Sequence, residues 1–267
     1  MNSGIQSIKI HRKEADLTTT KDDLVAVEAP LEIQVQHSNE SQAKSISVTM
    51  RTPGNDTGLA LGFLFTEGLI KNYQQVKNAF SFGENVVVVQ LNEGETIELQ
   101  NSERNFYTTS SCGVCGKSSI EAIQTISQFK IKSAGVPFEE VFFGLKKTLE
   151  KQQSLFSLTG GIHAAAIFKL NGELELIQED VGRHNALDKL IGVALQKQLL
   201  PLENRILLLS GRASFELVQK AIMAGIGTIV AVGAPSSLAV QLARENDQIL
   251  IGFLKQDSFN IYSGSLG

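Results

Sequence analysis

The residues best suited to chemistry are the two cysteines of the chain, Cys112 and Cys115, which are spaced C-x-x-C. Serine and glycine surround them, so a reacting partner can approach both sulfurs closely. Ser119 is followed by apolar residues at helical spacing, which predicts that a helix begins just after the pair. The positive end of that helix and the nearby Lys117 favour the thiolate form. A thiolate attacks sulfur or carbon and binds metals, so the pair indicates a reactive site.

Three other interpretations of the cysteine pair stay open. Cysteines buried in a core would be expected among leucine and valine, not among serine and glycine. A structural disulfide is typical of secreted proteins, whereas the first residues here lack the apolar segment of a signal peptide. The main rival to a reactive sulfur is a metal clip, since C-x-x-C supplies half of a tetrahedral zinc site.

His163 allows one zinc hypothesis to be examined. Zinc-dependent nucleobase deaminases combine an H-x-E motif with P-C-x-x-C, and the glutamate moves the protons. Here Ala165 stands where that glutamate belongs, Ser111 replaces the proline, and the cysteines precede the histidine. The pattern therefore disfavours deamination, although it leaves a deaminase-like scaffold open.

A second group of polar residues, EDVGRHN at 179–185, follows a predicted strand and opens a predicted helix. Holding so many polar groups near the end of a sheet is costly unless they are used. We expect Asp180 and His184 to handle protons and Arg183 to bind an anion. The alternative is a capped loop that faces solvent.

Two strand-to-helix loops are candidates for phosphate binding. The first contains Ser210, Gly211 and Arg212, and the second covers residues 233–237. Ligands of open α/β sheets bind at the carboxyl ends of the strands, where the amides at a helix N-terminus can hold phosphate. Small turns are needed in such folds for structural reasons too, but two of them together predict a phosphate-rich or nucleotide-like ligand.

The composition argues against several classes of protein. The 267 residues are 42% hydrophobic and 19% charged, with a net charge of -4, which suits a globular protein with a sizeable core. A negative net charge argues against nucleic acid as a partner. No apolar run approaches the roughly 18 residues of a membrane helix. With two cysteines and no export signal, we expect a cytoplasmic protein.

Hydrophobic patterns predict an α/β protein in two parts. Residues 1–110 form a β-rich part, with strands at 5–11, at 23–36 with a break at Pro30, and at 46–50, a helix at 57–70, and a hairpin joining 86–91 to 96–99. Residues 111–267 contain a helix at 138–153, a buried strand within 155–168 and a hairpin turn at Asn171 and Gly172. From residue 186 onward helices alternate with apolar strands, which predicts a largely parallel sheet covered on both faces. The boundary falls near residues 105–135.

Eight longer motifs occur in one order along most of the chain. They are RTPG at 51–54, LALGFLFTEG at 59–68, SSCGVCG at 110–116, TGGIHAAA at 159–166, EDVGRHNALDK at 179–189, SGR at 210–212, SFELV at 214–218 and APSSLA at 234–239. Taken together they resemble the formate dehydrogenase accessory sulfurtransferase family, known as FdhD. Only the first few dozen residues fall outside the resemblance.

The resemblance implies a sulfur relay. Such proteins accept sulfur from a cysteine desulfurase as a persulfide on the first cysteine, which corresponds to Cys112, and Cys115 is the second member of the pair. They pass the sulfur to the molybdenum cofactor, a bis-molybdopterin guanine dinucleotide, before that cofactor enters formate dehydrogenase. The implied fold is α/β, with a mixed sheet and helices on both faces as in the cytidine deaminase scaffold, plus a smaller β-rich N-terminal part. A homodimer is implied as well.

The resemblance also implies a cofactor contact near the C-terminus. Its residues are Phe253, Leu254, Lys255, Gln256, Asp257 and Ser258. The family usually has arginine where Lys255 stands, and lysine keeps the charge without the bidentate fork. We expect the polar loops to extend this surface through Arg183, His184, Ser210, Gly211 and Arg212.

Two competing functions stay open. A chaperone that only delivers the molybdenum cofactor would need the glycine-rich loops but no thiolate, so a Cys112 variant separates it from a sulfur relay. A zinc hydrolase of the deaminase type would contain stoichiometric zinc, which metal analysis of the purified protein would detect.

Overall fold

A computed structural model describes residues 4–97, 127–131 and 139–266 of the chain. In these ranges the strands are β1 (Ile5–Glu14), β2 (Leu17–Ala26), β3 (Ala29–Gln36), β4 (Lys44–Arg51), β5 (Val76–Ser81), β6 (Val86–Leu91), β7 (His163–Lys169), β8 (Leu174–Asp180), β9 (Arg205–Leu209), β10 (Thr228–Ala231), β11 (Ile249–Gly252) and β12 (Asn260–Ser263). The helices are α1 (Asp56–Thr66), α2 (Glu139–Gln152), α3 (Ser154–Thr159), α4 (Arg183–Gln196), α5 (Phe215–Met223) and α6 (Ser237–Glu245), with a short 3₁₀ turn at Tyr73–Gln75.

The strands of the first part form two separate sheets. β1 and β2 pair with each other as a long antiparallel hairpin whose residues are mostly exposed. The second sheet has four strands in the order β4-β3-β6-β5. In β3 the side chains of Leu31, Ile33 and Val35 are buried and alternate with partly exposed neighbours, as expected for a sheet with one face on the core.

The second part contains a sheet of six strands in the order β12-β11-β10-β9-β7-β8. β9, β10 and β11 run parallel, whereas β7, β8 and β12 join antiparallel. The mixed sheet that the resemblance implies is therefore confirmed, and the parallel arrangement predicted from the alternation of helices and strands is limited to β9, β10 and β11. Along β9 the side chains of Leu207 and Leu209 pack in one apolar cluster with α4, and those of Ile206 and Leu208 pack in another with α2. Helices on both faces are thus confirmed.

The two sheets are joined by a close crossing of α1 and α4. α1 lies against β5 and β6, and α4 lies against β7 and β8. At the crossing, a Cβ atom placed on Gly62 would lie 1.8 Å from the carbonyl oxygen of Asp188, and one placed on Gly192 would lie 1.9 Å from that of Gly58. Only glycine allows the two backbones to approach so closely. Gly62, a poor helix former inside α1, therefore has a packing role.

One apolar core runs through both parts of the chain. The same buried cluster contains Leu31 and Val87 from the four-stranded sheet, Leu61 from α1, Leu190 from α4 and Leu207 from the six-stranded sheet. The predicted boundary between residues 1–110 and 111–267 lies outside the described residues, so the division into two parts stays a prediction.

Two predicted strand boundaries are wrong for identifiable reasons. The break near Pro30 lies between β2 and β3, and Pro30 is inside β3. It is tolerated because it precedes the stretch that pairs with β6, which starts at Glu32. β6 pairs with β3 and β5, which both precede it in the chain. Thr96 and Ile97 lie outside any strand, and residues 98 and 99 lie outside the described ranges.

One predicted helix ends earlier than the pattern indicates, and one predicted strand is preceded by a short helix. α1 stops at Thr66 because Gly68 adopts a left-handed conformation, with φ of 75°. The predicted buried strand within 155–168 is confirmed as β7, and the residues before it form the short helix α3. The carboxylate of Glu179 accepts hydrogen bonds from the amides of Leu155 and Phe156 at 3.0 and 2.9 Å, so a distant side chain stabilises the start of this helix.

Candidate functional site

The two predicted catalytic cysteines, Cys112 and Cys115, lie outside the described residues. The other predicted site residues lie at one edge of the six-stranded sheet, where β9, β10 and β11 end and where β7 begins. Parallel strands bring their carboxyl ends to the same edge, and loops from this edge form the usual ligand sites of α/β proteins.

The loops that follow the three parallel strands are held together by their backbones. The amide of Gly233 donates to the carbonyl of Gly211 at 2.9 Å, and the amide of Phe253 donates to the carbonyl of Gly233 at 3.1 Å. A Cβ atom on Gly233 would lie 3.0 Å from Cγ of Arg212. Glycine therefore lets the loops lie against each other, and Arg212 is exposed at their surface.

The predicted cofactor contact, residues 253–258, begins where β11 ends. Phe253 has a left-handed backbone, with φ of 53°, and its side chain is 42% exposed. The amide of Lys255 donates to the carbonyl of Ser258 at 2.8 Å, which closes a tight turn. The side chains of Lys255, Gln256, Asp257 and Ser258 are exposed. Leu254 is 1% exposed and packs in the core near α2, so its side chain is not free to contact a ligand.

An aromatic contact that the sequence analysis missed anchors this turn. Phe259 lies 5.5 Å from Phe142 in an edge-to-face arrangement and 5.4 Å from Phe143, measured between ring centroids. Both partners belong to α2, on the far face of the sheet from α4. Such aromatic pairs stabilise packing beyond the area they bury. The turn at 253–258 is therefore fixed at one end by the sheet and at the other by α2.

His163 is the first residue of β7 and lies at the same edge. It is paired in register with Asp180 of β8, and its ring lies against Gly211 on the other side. Burial lowers the pKa of His163, and the positive charges of Arg183 and His184 lower it further, whereas the carboxylate of Asp180 acts in the opposite direction. The imidazole is therefore neutral at neutral pH.

The starts of α4 and α5 meet beside this ring. His184, in the first turn of α4, places Nε2 at 3.4 Å from Oγ of Ser214 and 3.9 Å from Oε2 of Glu216, both at the start of α5. The hydrogen bond with His184 lowers the pKa of Glu216 to about 2 despite partial burial. Both neighbours lie on the same ring nitrogen, so the three residues do not form a Ser-His-acid triad, in which serine and acid lie on opposite nitrogens.

Asp180 has a structural role in place of the predicted proton handling. It is fully buried, and its carboxylate forms an ion pair with Nζ of Lys189 at 2.7 Å. It also accepts hydrogen bonds from the amides of Thr52 and Gly182 and from Nδ2 of Asn185. A carboxylate that is buried and bonded in this way is not available to a substrate. It ties the RTPG motif to the start of α4.

A second buried ion pair lies deeper between the helices. Nζ of Lys220 on α5 lies 2.9 Å from Oδ1 of Asp188 on α4, and Thr66 of α1 donates to the same carboxylate at 2.8 Å. Burial disfavours the ammonium form of Lys220, but the carboxylates of Asp188 and Glu67 more than offset this and raise its pKa. The sequence signal for this pair is a charged residue within a run of buried residues on each helix, Asp188 on α4 and Lys220 on α5.

Within the described ranges no three histidine, cysteine, aspartate or glutamate side chains are placed to hold a metal ion. None of the helices in these ranges combines the length and the apolar character that crossing a membrane requires.

Comparison with known proteins gives consistent matches. A model described as the FdhD/NarQ family matches residues 26–266. Two similar proteins are each named sulfur carrier protein FdhD. The one from Streptomyces coelicolor is 45% identical over 96% of this chain and 93% of its own. The one from Sulfolobus acidocaldarius is 41% identical over 97% and 96%. The crystal structure of a putative formate dehydrogenase accessory protein from Desulfotalea psychrophila has the same fold, with a TM-score of 0.74 at 22% identity over 97% of both chains.

Proposed function

Because the chain belongs to the FdhD/NarQ family, we propose that it is a sulfurtransferase that serves formate dehydrogenase. It takes sulfur from a cysteine desulfurase as a persulfide on Cys112 and transfers it to the molybdenum cofactor, a bis-molybdopterin guanine dinucleotide. The observation that carries the proposal is the identity of more than 40% along almost the whole chain with proteins named sulfur carriers. The sequence supplies only two cysteines for this chemistry.

The loading step needs no oxidant or reductant. The thiolate of Cys112 attacks the outer sulfur of the desulfurase persulfide, and a new S–S bond forms on Cys112. The S–S bond of the donor breaks, and its cysteine leaves as a thiolate. One sulfur atom moves and the number of S–S bonds is unchanged, so electrons balance. A low thiol pKa favours the attack, which is what the C-x-x-C motif near a predicted helix start would provide.

The sheet edge suits the acceptor, which is a substrate of the protein and not a resident group. Its two guanosine diphosphate arms carry negative charge, and the edge presents Arg183, Arg212 and Lys255. Helix N-termini and cationic side chains are the usual partners of phosphate. Phe253 presents an exposed aromatic ring at a fixed backbone angle, which suits contact with a flat base. His184, Ser210, Gly211 and residues 256–258 complete the proposed contact surface.

The donor and the destination of the sulfur follow from this reaction, and the homodimer is what the family resemblance implies. We propose a cysteine desulfurase as donor, the catalytic subunit of formate dehydrogenase as the destination of the sulfurated cofactor, a homodimer as the working form and the cytoplasm as the location. A cytidine deaminase-like origin for the six-stranded part belongs to the same proposal.

The test separates sulfur transfer from mere delivery of the cofactor. The protein is incubated with a cysteine desulfurase and cysteine, and its intact mass is measured before and after addition of a thiol reductant. We expect one added sulfur on the wild type, no added sulfur on Cys112→Ser, and no activation of formate dehydrogenase by that variant in cells that lack the endogenous protein. Cys115→Ser is the matched control and should still accept sulfur on Cys112.

Activation by Cys112→Ser at the wild-type level would refute the sulfur relay and would favour the cofactor-delivering chaperone. Stoichiometric zinc in the purified wild type would instead point to the hydrolase alternative, because C-x-x-C is half of a zinc site.

A further inference from the structure

We propose that the free edge of β2 pairs with the β2 edge of a second copy of this chain. The two β1–β2 hairpins then form one four-stranded sheet around a two-fold axis, with β2 of each copy at its centre and β1 of each copy at its outside. The inference rests on the homodimer of the proposed function and assigns the contact between its copies, but it makes no use of the sulfur chemistry.

The β1–β2 hairpin is long and makes little contact with the rest of the described chain. Each strand has ten residues, paired in an unbroken register, so the hairpin extends about 33 Å at about 3.3 Å per residue. It forms a sheet of two strands and packs mainly against α3. Every residue from His11 to Leu24 is exposed. An isolated two-stranded sheet is at most marginally stable in water, so we expect a further partner for the hairpin.

The outer edges of the two strands differ in how they are protected against pairing. Proteins usually protect a free edge with charged side chains, especially lysine, with proline or with a bulge. β1 contains Lys9, Arg12 and Lys13, so pairing of two β1 edges would bring these cations together. β2 begins with Leu17 and three threonines at 18–20, contains no proline and has no bulge in its register with β1. β2 is therefore the edge that is open to pairing.

The sequence of β2 is complementary to itself around one axis. With the axis at Asp22, antiparallel pairing of two copies places Lys21 of each copy opposite Asp23 of the other. The two carboxylates of Asp22 meet at the axis, but each also lies opposite Lys9 of its own hairpin, which offsets their repulsion. Pairs of opposite charge on neighbouring strands stabilise a sheet. Such an interface uses the same surface on both copies and closes at two.

The pairing would also join two incomplete apolar faces. Four apolar residues of the hairpin lie on one face, namely Ile8, Ile10, Leu17 and Val25. Leu17 is 61% exposed, so this face is not covered within one copy. In the paired sheet Thr19 of one copy lies opposite Val25 of the other, and the apolar faces of the two hairpins become continuous. A sheet of more than two strands with an apolar face can be stable where a single hairpin is not.

Charge reversal across the axis tests this pairing. Lys21 and Asp23 lie opposite Ile10 and Ile8 in their own hairpin, so a change of their charge removes no directly opposed ion pair within one copy. Lys21→Asp would place acid opposite acid between the copies, and Asp23→Lys would place base opposite base. We expect the dimer of either variant to dissociate at a concentration higher than that of the wild type by about tenfold or more. An equimolar mixture of the two variants should regain the wild-type affinity as a heterodimer, because every contact then joins an acid to a base.

Dissociation is measured by sedimentation velocity of the full-length protein over a dilution series at constant ionic strength. Lys13→Asp, on the outer strand, is the matched control and should dimerise as the wild type does. The variant with both Lys21→Asp and Asp23→Lys should also dimerise, which would show that neither change alone unfolds the hairpin. The inference is wrong if the wild type is a monomer, if both single variants dimerise as tightly as the wild type, or if their mixture does not regain affinity. Sulfur loading of Cys112 is measured on the same variants and should not change, so the proposed function is tested separately.

Discussion

Replacement of Gly62 by alanine should separate the two helices that join the sheets. A Cβ atom at this position would lie 1.8 Å from the carbonyl oxygen of Asp188 and 2.6 Å from its carbonyl carbon. Heavy atoms in contact are separated by about 3.5 Å, and repulsion rises steeply below that distance. Both sides of the clash are backbone, so no change of side-chain rotamer can relieve it. α1 and α4 would have to move apart by more than about 1 Å.

The expected magnitude combines two opposing effects. Alanine is a better helix former than glycine by about 0.8–1 kcal/mol, which would stabilise α1. Overpacking of a tight interface costs about 1–3 kcal/mol, and more where the neighbours cannot move. The separation would also stretch the hydrogen bond of 2.8 Å between Thr66 and Asp188, which is worth about 1.5–3 kcal/mol for a charged partner. We expect a net loss of about 2 kcal/mol or more.

The assay is urea unfolding followed by far-ultraviolet circular dichroism, since the chain has no tryptophan to serve as a fluorescent reporter. Gly144→Ala on α2 is the matched control, because a Cβ atom there would have no heavy atom within 4 Å. The control should be stabilised by about 0.5–1 kcal/mol through helix propensity alone. If Gly62→Ala unfolds at the same urea concentration as the wild type or a higher one, the α1–α4 crossing is not as close as described.

Two further predictions concern the charged groups. Lys189→Met should lower the free energy of unfolding by about 3–5 kcal/mol, because it leaves Asp180 charged and without its ion-pair partner in the core. Adding Asp180→Asn should recover part of that loss. Lys169→Met, the control, breaks an exposed pair with Glu173 and should change the free energy of unfolding by less than about 1 kcal/mol. Glu216 has its pKa lowered to about 2 from 4.5, so its stabilising contribution is present above about pH 4.5 and is lost as the pH falls toward 2. We therefore measure the free energy of unfolding of the wild type and of Glu216→Gln in urea at several pH values. The difference between them should be largest near neutral pH and should decrease in acid. A difference that does not change with pH would show that the His184 contact does not stabilise the carboxylate.

Much of the fold can be predicted from the local pattern. The apolar runs that become β9, β10 and β11 are each short, and each is followed by a loop and a helix or by the site turn, so their parallel arrangement is predictable. The direction of β7, β8 and β12 is not, because it depends on which strand each one pairs with. α3 illustrates the same limit, since its start is capped by Glu179, which lies more than twenty residues later.

Some residues of the candidate site can likewise be predicted from the sequence, and others cannot. The loops containing Gly211 and Gly233 can be predicted because they combine small residues with a strand-to-helix transition. The placement of His163 cannot, because the sequence shows an isolated histidine next to alanines and does not show that Gly211 lies beside its ring. The aromatic contact of Phe259 cannot be predicted for the same reason, because its partners are on α2, far from it in the sequence.

The EDVGRHNALDK motif shows that polar residues close together in a sequence need not all contact a ligand. Asp180 and Lys189 bond to each other and to Thr52, and Asp188 bonds to Lys220. The buried hydrogen bonds and ion pairs of these residues hold α1, α4 and α5 against one another. Arg183 and His184, between them in the sequence, lie at the first turn of α4, where the helix meets the sheet edge. Because α4 is tied to its neighbours by buried ion pairs below that turn, its first turn is held at a fixed position relative to Gly211 and Ser214. The buried ion pairs therefore serve the proposed reaction by fixing the position of Arg183 and His184 at the start of α4, and their removal should weaken ligand binding even though the paired side chains themselves are buried.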